Sequence, residues 1–323
     1  MALSLAGALA LPACDNGLGP TQGSGGAKGS GGAVAGTGGV SGSGGASAGT
    51  GGAGTGGATG AGGAGSGGRA TGSGGGGGAM SCAGNAIAFN ANVPANNDPA
   101  KARVMVDFGT MDLPVGSSQR TIEFWAFIRT SSWAGDANTM FEYGDQSVSN
   151  AGFGLDFGGQ PGTLDPYTNG TFDNDNQSSG LTATMDQWAH LAVTYDGTAV
   201  RLYVNGTMRA MKTSPGNMLA TARTQLTIGG NPRGAYFNGY IDEFRVWNVA
   251  RTAAEISGAM SHTLTGAETG LVGYWKFDES SVNSAADSVT TAGHTKHNGT
   301  LMSTMASQLP TFIPSTAPIT SCP

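Results

Sequence analysis

The residues able to do chemistry are few, and their spacing argues against catalysis. Retaining glycoside hydrolysis needs two carboxyls about 5 Å apart across the scissile bond. The adjacent acidic pairs, Asp242-Glu243 and Asp278-Glu279, should point to opposite faces of a strand, and no Glu-x-Asp-x-x-Glu run offers alternating carboxylates. The sole Gly-x-Ser-x-Gly, Gly45 to Gly49, lies in a glycine tract and not at a strand-to-helix turn. Of four histidines, only His294 and His297 are close in sequence, and no metal motif surrounds them. The three cysteines form neither a CxxC pair nor a Cys/His zinc spacing. A net charge of −6 supplies no basic stripe for nucleic acid. The chain therefore reads as a binding protein and not an enzyme. Trp133, Tyr167 and Tyr236 sit in Gly/Asn-rich stretches, where a ring could stack on a sugar while Asp173, Asn174 and Asn231 bind hydroxyls. The same rings could instead fold onto the rim of the domain.

Short runs of aromatic and branched residues separated by Gly, Asn and Asp must position these side chains. The runs are Ala86–Phe89, Arg103–Phe108, Thr121–Ile128, Thr139–Tyr143, Gly152–Phe157, Trp188–Tyr195, Val200–Val204, Leu226–Ile228, Tyr240–Trp247 and Gly273–Phe277. Trp188–Tyr195 alternates an apolar face with a mixed one, as in a sheet with one buried side. Thr121–Ile128 is apolar on both faces, which places it centrally, its second face covered or lining a groove. Asp196-Gly197 and Asn205-Gly206 are hairpin turns that suit positive φ. Thr252-Ala-Ala-Glu255 is a capping box, predicting one short helix through Ile256 and Met260. The class is all-β: a two-sheet antiparallel sandwich with one short helix.

Three segments follow from composition. Residues 1–14 are apolar and uncharged and too short to span a bilayer. Residues 15–81 are a tether: 32 of the 62 residues from Gly17 to Gly78 are glycine, so too few apolar side chains exist to offset the entropy of ordering. A flexible chain of that length spans roughly 45 Å. Residues 82–323 form one folded domain.

Leu11-Pro12-Ala13-Cys14 resembles the lipobox of bacterial lipoproteins, whose cysteine is diacylated. The resemblance implies an exported, envelope-anchored and surface-exposed protein that meets the membrane only through Cys14. In an oxidising compartment Cys82 and Cys322, at the two ends of the domain, should pair.

Four stretches carry a second resemblance: Thr121-Ile-Glu-Phe-Trp-Ala-Phe-Ile, Trp188-Ala-His-Leu-Ala-Val-Thr-Tyr-Asp-Gly, Leu202-Tyr-Val-Asn-Gly and Gly239-Tyr-Ile-Asp-Glu-Phe-Arg-Val-Trp-Asn-Val-Ala-Arg. In this order and spacing the chain resembles the LamG-like jelly-roll family of the concanavalin A-like lectin/glucanase superfamily, most strongly over residues 120–256. That implies two antiparallel sheets, with carbohydrate or another surface protein held on one face or on its edge loops. The resemblance further implies a structural calcium ion at Asp242, with Asn90 adding an oxygen. Asp278 and Asp287 fall where the family has a second acidic turn, with Ser288-Val289 in place of its Ser-Gly. Without metal, Asp242 would instead accept hydrogen bonds or pair with an arginine.

Overall fold

The computed structural model describes residues 82, 84–89, 102–110, 112–129, 138–157, 163–170, 184–213, 216–231, 236–280, 283–304 and 306–323. Cys14, the glycine tract, Asn90, Trp133, Asp173 and Asn174 lie outside them.

Two antiparallel sheets face one another. The first runs β15 (Thr311–Pro314), β1 (Asn85–Phe89), β11 (Gly239–Trp247), β3 (Arg120–Ile128), β7 (Trp188–Tyr195), β8 (Ala199–Val204) and β9 (Thr207–Thr213), with β12 (Leu271–Trp275) also paired to β11. The second runs β13 (Ser284–Ala285), β14 (Gly299–Met302), β2 (Arg103–Val106), β10 (Leu226–Ile228), β4 (Asn138–Gly144), β5 (Gly152–Phe157) and β6 (Leu164–Tyr167). Alternate residues of each strand fill the space between them. Phe124 stacks on Phe244 at 5.1 Å, Phe141 meets both edge-on, and Ala189, Leu191, Val193 and Tyr195 of β7 all enter this core. Burial of that apolar surface is the main driving term for the fold.

The two expected hairpins form by different means. At β8–β9 both Asn205 and Gly206 adopt positive φ (50° and 73°). At β7–β8 only Gly197 does (φ 98°), and Asp196 instead uses its carboxylate to accept from Thr198 N, Ala199 N and Thr198 Oγ1. The helix α1 (Ala253–Ala259) starts at the capping box of Thr252 and Glu255 and buries Ile256 against Tyr203 and Ala192.

The outer face of the first sheet is covered over its middle, while β9 at its edge is mostly exposed. The segment around Ala317 and Ile319 lies over Trp125, whose Nε1 donates to Met260 O at 2.7 Å. Trp247, Leu264, Tyr274 and Val289 form another apolar layer. Beneath this cover is an ion cluster. Arg245, with no exposed side-chain surface, pairs with Glu243 at 2.6 Å and Glu123 at 3.6 Å; Arg251 also binds Glu123. On the second face of β3, Thr121, Glu123 and Trp125 are thus buried, and Phe127 is half-buried beside Trp188 and Tyr240. Asp242 and Glu243 also depart from the alternation expected of a strand. A bulge in β11, with Glu243 at φ 53°, sits between Asp242 and Arg245, so both carboxylates enter the covered layer. Asp278 and Glu279 follow β12 in a loop: Asp278 accepts from Asn85 N and Glu279 from Ala286 N.

The two ends of the domain meet. β1 pairs with β15, and Cys82 is disulfide-bonded to Cys322 with Cα atoms 5.6 Å apart, as the export argument required.

Candidate functional site

The outer face of the second sheet carries a groove lined by strand residues that a ligand can reach. Alternation turns Arg103 and Met105 of β2, Thr227 of β10, Glu142 of β4, Asp156 of β5 and Tyr167 of β6 toward it. Together with the 144–147 and 222–225 loops they line a groove of about 1030 Å³.

Two glycines of β5 shape the floor. A Cβ on Gly154 would lie 2.4 Å from the Tyr167 ring, and one on Gly152 would lie 2.0 Å from the Gln146 amide. Only their absence lets an aromatic ring and an amide rest directly on the sheet. The Tyr167 hydroxyl donates to Glu142 Oε2 at 2.5 Å, which fixes the ring beside a buried carboxylate. Asp156 is on the same face. Glu142 pairs with Gly154, two residues before Asp156, so the two acids lie diagonally across neighbouring strands, roughly 7–8 Å apart at the backbone. At one rim Asp145 accepts from Ser147 Oγ and Ser147 N, and these bonds hold its carboxyl below the usual range. Arg103 and Arg223 add positive charge. A flat ring, an amide, carboxylates and guanidinium groups in one groove suit a ligand rich in hydroxyls.

Of the residues singled out from sequence, Tyr167 lies in this groove, on strand β6 and not in a loop. Asn231 and Tyr236 do not line it. Asn231 is buried and donates to Thr139 Oγ1 at 2.8 Å, and Tyr236 is 7 % exposed and bridges Gly230. Glu142, Asp156, Gln146, Arg103 and Arg223 were not anticipated. The legible signal was Gly152-Phe-Gly-Leu-Asp156, whose outward positions are two glycines and an acid.

Asp242 is fully buried on the covered side. Ser315 Oγ donates to its Oδ2 at 2.5 Å, and the Glu243 backbone N–H also lies against the carboxyl. Burial pushes its carboxyl well above the usual range, and neighbouring Glu243 and Asp278 push the same way. Asp242, Ser315 and Glu243 bring oxygen atoms together here, the ligand type a hard cation such as calcium takes.

Residues 104–257 match the family model described as the concanavalin A-like lectin/glucanases superfamily. Pappalysin-1 is similar over a short stretch, at 40% identity over 78 residues in Mus musculus and 39% over 89 in Homo sapiens. Those matches cover 23% and 26% of this chain and 5% of each relative, so the chain spans about a twentieth of their length. A structure from Bacteroides ovatus, described as a candidate carbohydrate binding protein, is similar at a TM-score of 0.52 and 24% identity. It covers 73% of this chain and 61% of its own, a likeness of fold.

Proposed function

We propose that residues 82–323 are a non-catalytic carbohydrate-recognition module, displayed outside the cell on the N-terminal segment and anchored through a lipid on Cys14. The observation that carries this reading is Tyr167 lying over Gly154, with Glu142 and Asp156 on the same face. A sugar ring stacks its apolar face on the tyrosine while its hydroxyls pair with the carboxylates, Gln146 and Arg103. Calcium at Asp242 acts as a structural ion beneath the other sheet, remote from ligand contact.

The test is a glycan array with the full chain, followed by calorimetry on the hits. Tyr167→Ala should weaken binding at least tenfold, about 1.4 kcal/mol, in line with loss of one aromatic stack. Binding that survives in Tyr167→Ala and Asp156→Asn would overturn the groove assignment. A blank array with capture of a defined surface protein would favour protein docking instead. The two groove carboxylates support one further reading, a divergent glycan hydrolase. Release of reducing ends from an array hit, abolished by Glu142→Gln, would establish it.

A further inference from the structure

We propose that Asp112, His294 and His297 form a binding site for a divalent transition-metal ion, with zinc the best match. Asp112 lies in the loop between β2 and β3, and both histidines lie between β13 and β14, more than 180 residues away. Their ligand atoms converge. His297 Nε2 is 3.1 Å and His294 Nδ1 is 3.8 Å from Asp112 Oδ2, and all three atoms fall within 4.8 Å of one another. Metal bonds of about 2.0–2.1 Å in a tetrahedron place neighbouring donors roughly 3.3 Å apart. The His297–Asp112 pair already has that spacing, and the His294 ring must move inward to complete it.

The opposite ring nitrogens decide the chemistry. His294 Nε2 contacts Asp287 Oδ2 at 2.7 Å, and His297 Nδ1 contacts the Asp107 carbonyl at 3.3 Å. The Asp287 carboxylate also accepts from Tyr274 N, Val289 N and His297 N. Both partners are acceptors, so these ring nitrogens carry the hydrogens. In a neutral imidazole the other nitrogen is then a bare lone pair. His294 Nδ1 and His297 Nε2 are thus the nitrogens turned toward Asp112 Oδ2, where a cation would sit. A carboxylate or a backbone carbonyl behind each histidine is also the outer shell that metal-bound imidazoles use to fix their tautomer and orientation.

The scaffold is built to hold this geometry. His297 is buried with its ring 4.4 Å from that of Phe108, and Asp287 is 4 % exposed. Lys296 Nζ ties down the turn by donating to the carbonyls of Asp287 and Val289. Asp112 keeps 30 % of its side chain exposed, which gives the ion an entry path and room for water as a fourth ligand. Two imidazoles and one carboxylate select zinc or its neighbours over calcium and magnesium, which take oxygen ligands. The site shares no residue with the groove or with Asp242, so it stands independently of the proposed recognition function.

The test uses the full chain expressed without a histidine tag and stripped with chelator. Zinc should bind with one-to-one stoichiometry in calorimetry, and cobalt should give the intense visible absorption of a tetrahedral site. Asp112→Asn and His294→Gln should each weaken zinc binding more than about tenfold, the lower end of what even outer-shell losses produce. Calcium should not compete. In wild-type protein with 15N-labelled histidine, zinc should shift His294 Nδ1 and His297 Nε2, a readout that stands if either variant fails to fold. No one-to-one binding, full binding in both variants, equal competition by calcium, or shifts at other nitrogens would each overturn the proposal.

Discussion

Arg245 is a cation with no exposed side-chain surface, held by four acceptors. Its guanidinium donates to Glu243 Oε2 at 2.6 Å, to the Ala259 carbonyl at 3.1 Å and to the His262 carbonyl at 2.5 Å, and lies 3.6 Å from Glu123 Oε1. Arg245→Met keeps much of the volume and removes the charge. Glu123 would retain Arg251 and Trp247 Nε1 as donors. Glu243 would retain only the Tyr274 hydroxyl as a side-chain donor, the His262 carbonyl would lose the arginine, and the Ala259 carbonyl would keep His262 N. Removing one member of a buried ion pair costs about 3–5 kcal/mol, because the charge left behind is uncompensated. For a domain of this size that lowers Tm by about 6–20 °C, at 2–4 °C per kcal/mol. Urea unfolding at pH 7 should show this loss with an unchanged m-value. Burial already pushes the Glu243 carboxyl up, against the pull of Arg245, and losing the arginine must raise it further. The folded variant then binds a proton that the unfolded chain does not. Its stability relative to wild type should therefore recover as pH falls from 7 toward the ordinary glutamate value near 4.3. A loss under about 1 kcal/mol, or a deficit that grows on acidification, would refute the reasoning.

Three further outcomes are expected. Cys82→Ala with Cys322→Ala opens a loop of 240 residues, and the chain-entropy estimate puts the loss at up to about 5.5 kcal/mol, measurable by urea denaturation; an unchanged midpoint would contradict it. His190 is buried, and burial, Arg245 and Arg251 all hold its ring well below the usual pKa, so only the unfolded chain binds that proton. Stability should accordingly fall below about pH 6.5, by up to about 1.4 kcal/mol per pH unit from this group, and His190→Gln should flatten the slope by that amount. Calcium should raise Tm with the logarithm of its concentration, and Asp242→Asn should remove that dependence; identical melting of wild type in calcium and chelator would dismiss the ion.

Sequence resolved the strands wherever side-chain alternation and a strong turn coincided. Trp188–Tyr195 is β7 to the residue, and the helix starts at its capping box. It failed where one residue changes the geometry. The bulge at Glu243 is an extra residue at φ 53°, which no composition rule assigns to glutamate, yet it puts two acids on one side. β6 was missed because Asp165 and Pro166 are poor strand formers, tolerated here at the sheet edge, and Tyr167 was therefore placed in a loop. The groove needs the register of five strands, which is fixed by packing and not by local pattern. The Asp112–His294–His297 cluster joins two loops far apart in the chain, and only the fold brings them together.

The bond between Cys82 and Cys322 has a mechanical meaning as well as a thermodynamic one. It joins the domain ends across a 5.6 Å Cα separation, beside the paired strands β1 and β15. A pull arriving along the chain before residue 82 divides at once between the start of β1 and the segment that follows β15. Tension between the two ends runs through the sulfur bridge and leaves β1 and β15 unloaded. The 240-residue loop between the cysteines cannot be drawn out while the bridge is intact. Under load the domain should behave as an inextensible knot in the chain, and reduction should release it to stretch.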